Sequence, residues 1–101
     1  MMVTVFRSRI RPENADEYQK MSAKMSEIAR TMPGYISHKG FTAEDGERVT
    51  IVEFESQETH RAWAEHAGHR KAQQLGRERF YSEFSIHVCE VLKSNSYRQP
   101  G

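Results

Sequence analysis

The segment Arg48–Glu55, RVTIVEFE, is apolar on both sides of any strand it forms, since Val49 and Ile51 point one way and Val52 and Phe54 the other. A second segment, Phe80–Leu92 (FYSEFSIHVCEVL), repeats the pattern, with Phe84, Ile86 and Val88 set opposite Tyr81, Cys89 and Val91. A sheet built from such strands has two faces to keep from water. Helices of the same chain cover only one, and 101 residues make one domain, too small to wrap the other. The second face therefore needs another surface, most simply the same sheet of a two-fold-related copy. The expectation is a face-to-face homodimer.

The remaining elements follow from pattern and punctuation. Val3–Ile10 is β-branched and aromatic, reads as the first strand, and stops at Arg11-Pro12. Between Pro12 and Met32 the residues Ala15, Tyr18, Met21, Met25, Ile28 and Met32 recur at three- and four-residue steps, which predicts an amphipathic helix ended by Pro33-Gly34. Tyr35–Thr42 and Arg48–Glu55 flank Asp45-Gly46 and predict a hairpin. Ser56 is a suitable cap for a helix carrying Trp63, and Gly68 is expected to break that helix from a shorter one running from His69 to about Arg77. The order βαββαβ predicts an α+β, ferredoxin-like fold with a four-stranded antiparallel sheet. The domain is expected over residues 1–93, with the tail SNSYRQPG at 94–101 outside the core.

Fifteen Lys and Arg against fourteen Asp and Glu give a net charge of +1, which argues against nucleic acid as a partner. One cysteine, Cys89, forms no intramolecular disulfide, and neither a signal-peptide pattern nor an apolar run of the ~20 residues needed to span a bilayer is present. A cytoplasmic protein without membrane contact is the expectation.

Chemistry is concentrated in ETHRAWAEHAGHRKA, where Trp63, His66 and His69 stand three residues apart and would share a helix face. A Trp supplies apolar wall and an imidazole a base that titrates near neutral pH. The plainer reading makes Trp63 a core anchor and the histidines solvated helix residues. His38 and His87 lie on alternating strands, where one residue of register decides which face they occupy. No metal is expected from His60, His66 and His69, which lack cysteine partners and the helical spacing of a zinc hydrolase. Arg70, Lys71, Arg77 and Arg79, interleaved with Glu78, read as solvated helix charge.

Pro33-Gly34-Tyr35, the VTIVEFES stretch leading to Ala62-Trp63, and HRKAQQLGRERFY before the last strand carry a resemblance. From about Val3 to Leu92 the chain resembles the antibiotic biosynthesis monooxygenase (ABM) domain proteins of the dimeric α+β barrel superfamily. The resemblance implies a homodimer whose two sheets form a barrel, with a pocket in each subunit between sheet and helices. Some such proteins oxygenate aromatic polyketides or quinols without metal or flavin, and others degrade haem; in both, a Trp matches Trp63. Where the haem-degrading branch has an Asn on the first strand and a ligating His, this chain has Ser8 and Gln73. Where the oxygenating branch has an Asn and a Tyr near the Trp, it has Thr59 and His69.

The expectation is a monooxygenase that needs no cofactor and acts on an aromatic, quinol or polyketide-like small molecule. His66 and His69 are the candidate bases, and Trp63, His38 and His87 the candidate substrate-binding residues. The alternative is a non-catalytic small-molecule-binding dimer on the same scaffold, favoured by Thr59, Ser8 and Gln73; haem binding or degradation comes third.

Overall fold

The computed structural model describes the chain from Met1 to Gly101, the side chain of residue 67 excepted. Strand β1 (Met2–Ile10) leads through a 3-10 turn at Pro12–Asn14 into helix α1 (Ala15–Thr31), then strands β2 (Tyr35–Thr42) and β3 (Arg48–Phe54). Helices α2 (Gln57–Ala64) and α3 (Ala67–Leu75) and a π turn (Gly76–Phe80) precede β4 (Tyr81–Glu90). The strands form one antiparallel sheet in the order β2-β3-β1-β4, the ferredoxin-like α+β arrangement. No helix is long and apolar enough to cross a membrane.

Register sorts the side chains. Thr4 lies opposite Val52 and Val88, Phe6 opposite Thr50 and Ile86, and Ser8 opposite Arg48 and Phe84, all on the helix side. Val5, flanked by Ile51 and His87, and Val3, flanked by Glu53 and Cys89, lie on the other. The core sits on the helix side, where Phe54 is 0% exposed and packs with Val52, Ala29 and Trp63. On α1 the best-buried residues are Tyr18 and Ala29, whereas Met21 and Met25 are only half-buried because a hollow separates them from the sheet.

Three local features differ from what the sequence pattern predicts. The break between the second and third helices falls at Glu65-His66, not at Gly68: the His66 ring accepts the Gly68 amide proton at 3.0 Å and caps α3. Gly68 instead permits close helix packing, since a Cβ there would come within 2.8 Å of Ile28 Cδ1. The helix expected from Pro12 begins at Ala15, after the 3-10 turn.

Tyr81, expected opposite Phe84, faces the same side as it, with ring centroids 5.9 Å apart. A bulge shifts the register so that Arg9 pairs with Glu83 but Ile10 with Tyr81. The two-sidedness of β4 survives in another form. α1 packs chiefly on β2 and α2 on β3, so helix-side Phe84, Ile86 and Val88 remain 42%, 49% and 51% exposed.

Candidate functional site

The hollow under α1 is a cavity of about 320 Å³. Thr4, Phe6, Thr50 and Val52 contribute from the sheet, Tyr18, Met21 and Met25 from α1, and Trp63 from α2. Tyr81, Phe84 and Ile86 line it on the β4 side.

Trp63 is positioned by what surrounds it. Ser56 accepts the Thr59 amide proton at 3.1 Å and Thr59 Oγ1 accepts the Ser56 amide proton at 3.2 Å, a reciprocal cap that starts α2. One turn later the indole stacks on Phe54, with centroids 5.2 Å apart and planes at 25°. His60 meets it edge-on at 5.7 Å and His69 lies against it at 4.3 Å. The indole Nε1 is buried without a hydrogen-bond partner. A buried donor left unsatisfied costs about 1–3 kcal/mol, and because Nε1 has no accessible surface it is the ring, not the N–H, that Trp63 presents to the cavity.

The histidines have distinct environments. His38 lines the cavity, with Nδ1 2.7 Å from the Tyr35 hydroxyl and Nε2 2.9 Å from the Ser26 hydroxyl. Burial, aided by the Arg30 charge, lowers its pKa and keeps it neutral at pH 7. His60, which the sequence suggests only as an unlikely metal ligand, is buried, with Nε2 2.6 Å from the Thr4 hydroxyl; burial lowers its pKa too. His69 lies against Trp63, outside the cavity lining, and its Nδ1 is 3.3 Å from the Ala64 carbonyl. Its pKa is lowered mainly by burial. His66 caps α3, and His87 lies on the outer face of β4; neither lines the cavity. The fold thus brings Trp63 and His38 to one cavity, packs His69 against Trp63 outside the lining, and places His66 and His87 elsewhere.

Ser26, Arg48 and Tyr81 also line the cavity and carry no sequence signal beyond position on a helix or strand. Burial raises the Tyr81 pKa, so its phenol stays protonated. Gln73 lines the cavity, and Ser8 is buried on β1. Among the described residues no three His, Cys, Asp or Glu side chains are grouped to hold a metal ion.

Residues 1–75 match the family model for antibiotic biosynthesis monooxygenase, and the chain belongs to that family. Members are typically dimeric. The chain is 23% identical over 92 residues to the uncharacterized protein YqjZ of Bacillus subtilis, covering 91% of this chain and 81% of that one. A Deinococcus radiodurans structure superposes with a TM-score of 0.85 at 10% identity, covering 98% and 100% of the two chains. SnoaB of Streptomyces nogalater, a cofactor-independent oxygenase, superposes with a TM-score of 0.76 at 16% identity, covering 92% and 94%.

Proposed function

We propose that the cavity binds a flat hydroxylated aromatic molecule and promotes its oxidation by O2 without a cofactor, with His38 as general base and Trp63 as wall. The observation that carries this reading is the hydrogen-bonded series Ser26, His38, Tyr35 beside an aromatic-walled cavity. With its proton on Nδ1, His38 donates to the Tyr35 oxygen and keeps the Nε2 lone pair for the Ser26 hydroxyl. A phenolic or enolic substrate then loses its proton to Nε2, directly or through Ser26. The resulting anion is electron-rich enough to reduce O2. For an anthrone-type substrate, one CH2 and one O2 become a carbonyl and water, so one oxygen atom is kept and the other leaves reduced. The protein contributes proton removal, orientation and a water-poor site. The shared fold with SnoaB supports this class of reaction.

Metal-free protein should accelerate O2 uptake with dihydroxynaphthalene or anthrone. His38→Ala should lower kcat by about 10²- to 10⁴-fold. Unchanged turnover in that variant removes His38 from the chemistry. The binding-only reading is favoured by Thr59, whose hydroxyl is engaged in the α2 cap. That reading stands if the same compounds bind and are never oxidised.

A further inference from the structure

The chain has 14 Asp and Glu residues, yet none lines the cavity, whereas Arg48 and Arg77 both do. Arg77 is exposed and sits 6.0 Å from the Phe84 ring centre, at the β4 side. Arg48 is different. It is half-buried, its Nε has no hydrogen-bond partner, and it forms none of the ion pairs, which join Arg7 to Glu47, Arg9 to Asp45 and Glu83, and Arg79 to Glu17. Its guanidinium rests over Gly40 of β2: a Cβ there would lie 2.4 Å from Nη2 and 2.9 Å from Cζ, so the absence of a side chain is what admits the group. A partly buried cation without a counter-charge is costly, and the planar guanidinium is matched to a carboxylate through paired N–H donors.

We infer that Arg48 is the anion-binding group of the cavity, and that the ligand is an aromatic carboxylate whose ring lies along the aromatic walls while its carboxylate meets the Arg48 guanidinium. The inference rests on the cavity being the ligand site, as proposed above, and specifies the class of molecule that enters it. A charge-assisted pair in such a setting corresponds to about 10- to 100-fold in affinity.

Calorimetric titration of the full chain with 2-naphthoate and with the nearly isosteric, neutral 2-naphthamide tests this. The naphthoate should bind about 10- to 100-fold more tightly. Arg48→Gln should bring the two probes together, and Gly40→Ala, which displaces the guanidinium while keeping its charge, should narrow the gap. Equal affinities in the wild-type protein overturn the inference, as does a preference that survives Arg48→Gln. Failure of both probes to bind overturns it together with the ligand site. A naphthoate preference alongside absent O2 uptake upholds the inference and removes the oxygenase reading alone.

Discussion

Trp63 offers a substitution whose outcome separates packing from hydrogen bonding. It is 8% exposed, stacked on Phe54 and wedged between His60 and His69. Truncation to Ala leaves a void that these rings cannot close, at a net cost of about 3–5 kcal/mol with the lost Nε1 donor already counted, a large part of the ~5–15 kcal/mol that holds a domain together. Trp63→Phe forfeits only the outer part of the ring system, about 1–2 kcal/mol of packing. It also deletes the buried Nε1 donor that has no partner, recovering about 1–3 kcal/mol. The two terms nearly cancel, so Trp63→Phe should be within about 1 kcal/mol of wild type. Urea unfolding followed by circular dichroism, at fixed protein concentration because association adds to apparent stability, reads both variants. With a slope of about 1–3 kcal/mol/M, the Ala midpoint should fall by at least ~1 M and the Phe midpoint should scarcely move. A Phe variant as destabilised as the Ala variant would refute the reasoning, by showing that the indole N–H makes a stabilising bond in the folded protein.

Three further outcomes follow from the same geometry. His38, His60 and His69 all have folded-state pKa values lowered mainly by burial, so the unfolded chain binds more protons below about pH 6.5. Stability should therefore be full above that pH and decline as pH falls through the folded values; His60→Gln should flatten the decline, and a flat wild-type profile from pH 7 to 5 would argue against it. Val5 and Ile51 lie on the face away from the helices, so sedimentation should give about twice the 11.8 kDa chain mass, and Ile51→Asp should give a folded monomer; a wild-type monomer would count against the pairing of these faces. Haem titration should show no sharp Soret band of axial histidine ligation, because Gln73 stands at the cavity where the resemblance places a ligating His; a stoichiometric His-ligated spectrum would reverse this.

The strands and helices were legible because their signals are local: the alternation in β1 and β3, the Asp45-Gly46 turn and the Ser56 cap each act over a few residues. Gly68 misled because a glycine that permits close helix packing and one that ends a helix look alike in sequence. The bulge beside Tyr81 left no mark either, and it moved one aromatic side chain to the other face of β4. The site was less legible than the fold. Three-residue spacing grouped Trp63 with His66 and His69, but the chain turns at His66, which diverts that ring to capping. His38 is a candidate from its strand alone, but what suits it to act as a base is the pair of hydroxyls, Ser26 from a helix and Tyr35 from its own strand, on its two nitrogens. Arg48 has no motif at all; what distinguishes it is the missing counter-charge, a property of the assembled cavity.

A crystal structure of the protein with bound 1-hydroxy-2-naphthoate, obtained without oxygen, tests the proposed site most directly. The ring system should lie in the cavity against Trp63, with the hydroxyl directed to Ser26 and His38 and the carboxylate on Arg48. A ligand seated outside the cavity, or one whose hydroxyl meets His66 or His69 instead, would contradict the proposed site.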